Sequence, residues 1–142
     1  MRLRLLMLGK TRRPELRAVL DDYLKRIGRY SPIEMNEVRD AEAVLKRLDS
    51  DRAATAILLD AGGTPQDSEA LARWLAERRD RGTREIIFVC GDADGFPDAL
   101  RKRITQKLSL SPMTYSHELA RVMLAEQLYR AFAILSGSPY PK

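Results

Sequence analysis

The sequence predicts an α/β domain built on a parallel sheet flanked by helices, and three observations carry that prediction. Short apolar runs of strand length recur along the chain. Segments with helical spacing fill the intervals between them. Two of the runs, Thr55 to Asp60 and Glu85 to Cys90, are continuously apolar, as strands covered on both faces are. At 142 residues the chain is expected to form one domain, residues 1–142. That length buries about two thirds of the unfolded surface and supports a real core.

The elements follow in order. Met1 to Leu8 is basic and then apolar, but the apolar run is shorter than a secretory signal requires and no small-residue cleavage site follows it, so Leu3 to Leu8 reads as the first strand. Behind Pro14, the residues Leu16, Val19, Leu20, Tyr23, Leu24 and Ile27 recur at helical spacing, and Arg12, Arg13, Arg17, Lys25, Arg26 and Arg29 make a basic outer side. Ile33 to Val38 is the second strand, Asp40 to Leu48 a short helix, and Thr55 to Asp60 the third strand. Gln66 to Arg81 reads as a helix ending at Gly82, Glu85 to Cys90 as the fourth strand, and Phe96 to Lys107 as a helix with Pro97 in its first turn. This βαβαβαβα order indicates a doubly wound domain. A last helix, His117 to Leu135, is apolar nearly all round and must be covered on all sides; a subunit interface does that, so a homodimer is expected.

Composition narrows the function. The chain is 44% hydrophobic and 32% charged, and no segment approaches the roughly 20 apolar residues of a membrane span, so a cytoplasmic protein is expected. The single cysteine, Cys90, excludes an internal disulfide and lies in an apolar strand, which favours a buried structural thiol over a nucleophile. The single histidine, His117, excludes a histidine-rich metal centre, and no metal is expected. A net charge of +5 and a pI near 9.6 suit an anionic partner such as RNA.

The candidate site lies in the last third. A glycine loop, Gly91 to Gly95, follows the fourth strand and offers backbone N–H groups to a small ligand, and a second loop from Leu110 to Ser116 can close over the same ligand. His117 and Arg121 stand four residues apart on one helical face; His117 serves either helix capping or the site. Glu126 and Arg130, also four apart, read as an ion pair ahead of any chemical role.

Taken with Arg121 to Phe132 and Pro139-Tyr140, these blocks resemble the small SPOUT-class RNA methyltransferases, and more narrowly the ribosomal large subunit pseudouridine methyltransferase H family. The resemblance runs from the first strand to the last residue and is most specific from Leu110 to Phe132. It implies a SPOUT-type sheet with a C-terminal trefoil knot, a homodimer, and S-adenosylmethionine bound in the knot. It implies methylation of pseudouridine N3 in ribosomal RNA on the assembled ribosome. Carried over by position, Leu59, Gly91, Asp92, Gly95, Leu110, Ser111, Pro112, Met113, Thr114, Tyr115 and Ser116 would bind the cofactor. His117 and Arg121 would face the substrate, and Tyr140 would reach toward the partner's active site.

Three positions depart from the family pattern. Asp92 stands where a second glycine is usual, and reads as a cofactor contact, an obstruction, or part of a surface turn rich in Asp and Gly. Pro141 stands where a histidine usually follows the tyrosine, which bears on catalysis or substrate preference, and Ser116 replaces the proline usual before His117. Phosphate contacts are expected among Arg2, Arg4, Lys10, Arg12, Arg13, Arg17, Lys25, Arg26 and Arg29. Aromatics at 6% are too few for an extended stacking platform. The rival readings are a methyltransferase acting on another RNA and a non-catalytic ribosome-binding dimer; neither a G-x-G-x-x-G nor a P-loop pattern supports a generic nucleotide enzyme.

Overall fold

A computed structural model of the chain describes residues 1–140; Pro141 lies outside the described residues. Its elements are β1 (Arg2–Leu8), α1 (Pro14–Ile27), β2 (Ile33–Val38), α2 (Ala41–Ser50), β3 (Thr55–Pro65), α3 (Ser68–Asp80), β4 (Glu85–Cys90), α4 (Asp98–Arg103), β5 (Gln106–Ser109) and α5 (His117–Ser136). All strand pairs are parallel, in the order β2-β1-β4-β3-β5.

Alternation along the strands sorts the core into two layers. Leu3, Leu5 and Met7 of β1 with Ile86 and Phe88 of β4 face α1, α3 and α5, where Ile27, Leu71, Leu75, Leu124 and Leu128 meet them. Leu6, Leu8, Ile87 and Val89 face α2 and α4, against Val44, Leu48 and Leu100. Each such fully buried side chain contributes about 1.5–3 kcal/mol relative to exposure. The continuous apolar run of β4 is buried at all six residues, because the strand lies between β1 and β3 with helices on both faces. Its one charge, Glu85, is neutralised by Arg4 at 3.3 Å and Arg47 at 2.5 Å. Arg4 also pairs with Glu34, so this expected phosphate contact is instead committed to holding the start of the sheet.

Helix starts follow their caps: Asp40 accepts from Ala43 N at 2.9 Å, and Asp67 accepts from Ala70 N at 2.7 Å. The fourth helix departs from expectation. Helical spacing from Phe96 to Lys107 suggested one helix, but α4 ends at Arg103 and Ile104 turns extended (φ −105°, ψ 106°), releasing Gln106–Ser109 as a fifth strand. The third strand is longer than its apolar run. Leu59 and Thr64 both pair with Leu108, so residues 60–63 bulge out and the strand resumes through Pro65. The coverage of α5 also differs in origin. Its apolar sides pack on α1 through Val122 and Ala125 and on the sheet through Leu124, Leu128 and Phe132, so most of its all-round apolarity is satisfied within the chain.

Candidate active site

A cavity of about 480 Å³ opens at the carboxyl ends of β3, β4 and β5, the end of an open α/β sheet where ligands bind. Three connections build it. The bulge in β3 supplies Leu59, Asp60 and Ala61; the turn after β4 supplies Gly91, Asp92, Gly95 and Phe96; the segment after β5 supplies Leu110, Ser111, Met113, Thr114, Tyr115 and Ser116. Every expected cofactor residue lines this cavity except Pro112.

The turn after β4 is tightly wound. Gly95 N donates to Asp92 O at 3.0 Å, Asp94 N donates to the Asp92 carboxylate at 2.9 Å, and Gly95 has φ +79°. A Cβ on Gly91 would sit 2.8 Å from Gly95 O, so only glycine fits there. Asp92 therefore both shapes an Asx turn and lines the cavity. Ser109 ties the other two walls together, its hydroxyl lying 3.0 Å from both Ala61 O and Ser111 O. Asp60 is paired with Arg101 at the same wall. Cys90 lines the cavity yet is buried, and burial pushes its thiol up to about 12; it remains protonated at neutral pH, as a structural thiol does.

His117 opens α5 and lines the cavity, while the capping itself falls to Ser116, which accepts from Leu119 N at 3.4 Å. Arg121 is placed otherwise than expected. It is fully buried, donating to Leu8 O at 2.6 Å, Gly9 O at 3.1 Å, Thr11 Oγ1 at 3.0 Å and Gly91 O at 3.4 Å. One turn of helix carries it from the cavity wall to the ends of β1 and β4, so it braces backbone rather than facing the cavity. Burial lowers its pKa from the ordinary guanidinium value. Tyr140 is also away from its own chain's cavity. Its hydroxyl donates to Glu126 at 2.6 Å, lies 3.3 Å from the Tyr23 hydroxyl, and its ring packs edge-on against Tyr129. Glu126 is nine residues along α5 from His117, about 13 Å at the helical rise. Burial and the Glu126 hydrogen bond raise the Tyr140 phenol above its ordinary value. Glu126 and Arg130 form the expected pair at 2.6 Å.

Glu118 was not legible as a site residue. Its carboxylate accepts from Arg12 N and Arg13 N, both at 2.9 Å, and these N–H groups hold its pKa below the ordinary value. Glu37 accepts from Thr11 N at 2.6 Å, so Glu37, Glu118 and Arg121 together clamp the Gly9 to Arg13 loop against the start of α5. Only a long-range contact reveals this role, since Glu118 lies 106 residues from Arg12.

Fold and site together define a SPOUT methyltransferase: the chain belongs to that family, its residues 1–141 matching the family described as "Predicted SPOUT methyltransferase". Within it the chain groups with the proteins named ribosomal RNA large subunit methyltransferase H. It is 44% identical to the one from Pelobacter propionicus and 43% identical to the one from Geotalea daltonii, over 99% of both chains in each case. Solved structures share the fold. The tRNA (m1G37) methyltransferase of Aquifex aeolicus superposes with a TM-score of 0.62 at 14% identity, over 100% of this chain and 75% of that one. The SpoU methyltransferase AviRb of Streptomyces viridochromogenes, solved in complex with AdoMet, gives 0.56 at 11% identity, over 97% of this chain and 58% of that one.

Proposed function

We propose that this chain transfers a methyl group from S-adenosylmethionine to N3 of a pseudouridine in large-subunit ribosomal RNA on the assembled ribosome. The observation that carries the reading is the cavity at the strand ends, bounded by the glycine turn and the Leu110 to Ser116 segment, in a chain whose full-length relatives are named as large-subunit rRNA methyltransferases. The cavity fits the cofactor chemically: apolar Leu59, Leu110 and Met113 suit an adenine, and Gly91 lets the turn close tightly on itself at the cavity wall, its Cβ position being filled by Gly95 and Phe96.

When bound, the cofactor supplies a methyl carbon already activated by its sulfonium. What remains for the protein is alignment, which is worth about 7–11 kcal/mol in favourable cases, and removal of the imide proton. His117, on the cavity wall, is the side chain we assign to accept that proton, with Asp92 as the second candidate. Arg121 acts through the backbone it braces and is a positioning residue. In this reading residues 1–142 are one cytoplasmic domain whose C-terminal segment threads a trefoil knot. The domain works as a homodimer, with Tyr140 leaving its Glu126 hydrogen bond to serve the partner's site.

The test is methyl incorporation from labelled S-adenosylmethionine into ribosomes lacking the pseudouridine methylation, with free rRNA alongside. Incorporation at that pseudouridine on ribosomes is expected. Cofactor binding without incorporation would sink the assignment and leave another RNA target or a catalytically lapsed member, whereas no cofactor binding would leave a non-catalytic ribosome-binding dimer. Independently, Gly91→Ala should weaken S-adenosylmethionine binding by about tenfold or more in calorimetry, since overpacking costs roughly 1–3 kcal/mol. Unchanged affinity would remove the turn from the site.

A further inference from the structure

In a parallel sheet every strand begins at one end, and the intervening helices return their C-termini to that same end. Here that end is stitched into one surface: Arg2 N donates to Arg84 O at 2.7 Å, Leu3 N to Pro32 O at 2.8 Å, and Ser31 Oγ to Met1 O at 2.6 Å. The turns Gly28 to Pro32 and Arg81 to Arg84 thus flank the start of β1. The surface carries Arg2, Lys25, Arg29, Arg81 and Arg84, all exposed. Nearby Arg26 and Arg79 are paired with Asp22 at 3.1 Å and Asp80 at 3.5 Å, whereas these five make no ion pair among the described residues.

Helix capping does not occupy them either. The last carbonyls of α1 and α3 are met by backbone donors, Gly28 N to Leu24 O, Gly82 N to Arg79 O and Thr83 N to Arg78 O, each at 3.0 Å. The cavity end is different in kind. There Asp60, Asp92 and Asp94 offset Arg101, and Glu37 and Glu118 lie under the Lys10 to Arg13 loop, so the two signs are mixed. The net charge of +5 is therefore concentrated away from the site where the chemistry is proposed.

We infer that the surface formed by Arg2, Lys25, Arg29, Arg81 and Arg84 is a second contact for the phosphate backbone of a structured RNA. The inference rests on the rRNA reading above and extends it. The six residues of β4 separate this surface from the cavity by about 20 Å. An RNA touching both must continue that far from the target base, so the surface selects a folded RNA over a short oligonucleotide. Phosphate contact by point charges positions the substrate and reads no sequence.

The test compares Arg81→Gln/Arg84→Gln with Lys46→Gln/Lys102→Gln, exposed positions on the opposite helical layer that carry the same change in charge. Affinity for the assembled ribosome, for the large ribosomal subunit and for protein-free large-subunit rRNA is measured against salt, with S-adenosylmethionine binding as a fold control. The arginine pair should weaken ribosome binding about five- to tenfold. It should flatten the log–log salt slope by roughly 1.4–1.8, the value for two lost phosphate contacts. The lysine pair should leave both nearly unchanged, and cofactor affinity should hold in both variants. Equal effects of the two pairs, or none, would overturn the proposal. So would loss of subunit binding with rRNA binding intact, which would make the surface a ribosomal-protein contact. If the unaltered chain binds neither cofactor nor ribosome, the functional reading fails instead.

Discussion

Arg121 shows how a residue at the right spacing can have a different job from the one its face suggests. Its guanidinium donates to the carbonyls of Leu8 and Gly9 where β1 ends beneath α5, and it reaches Gly91 under the cavity. Arg121→Met should destabilise the fold by about 3 kcal/mol, since each buried acceptor left unpaired costs roughly 1–3 kcal/mol. Urea unfolding checks this, and a loss under about 1 kcal/mol would mean that water replaces the guanidinium. Glu118 gives a pH-dependent counterpart. Its folded pKa is depressed, first by the Arg13 N–H, so its stabilisation is present at neutral pH and is lost as pH falls through that lowered value, below the ordinary 4.5. Stability measured from pH 6 downward, over about three units, should therefore fall more steeply for the unaltered chain than for Glu118→Gln. Parallel curves would show that the carboxylate charge does not matter there.

At the scale of elements, the junction of β3 and β5 decides the geometry of the cavity. A Cβ on Gly63 would lie 2.8 Å from the Lys107 backbone, so the bulge closes against β5 only because this position is glycine. Gly63→Ala should cost about 1–3 kcal/mol and lower amide-exchange protection at Leu108 and Ser109, where the register shifts. Unchanged protection would show that Lys107 yields without moving the strand. This junction is also where sequence reading stops short. The caps Asp40 and Asp67 show only in the structure, whereas β1 and β4 announce themselves by apolar runs and β2 by its Ile33, Met35 and Val38. β5 does not, because four residues, Gln106 to Ser109, are too few to show a period, and Leu100 to Ile104 mimics another helical turn. The far half of β3 is polar and glycine-rich, and becomes a strand only by pairing with β5.

For the whole molecule, α1 and α5 lie side by side and leave Val19, Leu119 and Ile134 roughly two-fifths exposed (43%, 39% and 40%). If these helices form the proposed dimer face, Val19→Asp should shift the sedimenting species from dimer to monomer while far-ultraviolet circular dichroism is kept. A dimer that persists would place the interface elsewhere. Among the described residues no helix is long and apolar enough to cross a membrane. The sequence by itself determined the α/β class, the long helices and the glycine turn and Leu110 to Ser116 segment that line one cavity, because periodicity and glycines are local signals. Tertiary structure alone decided the fifth strand, the bulge that lends Asp60 to the cavity, the clamp of Glu118 on Arg12 and Arg13, and the burial of Arg121. Each of these depends on groups far apart in the chain, such as Arg121 and Leu8, and their pairing has no local trace before the sheet brings them together.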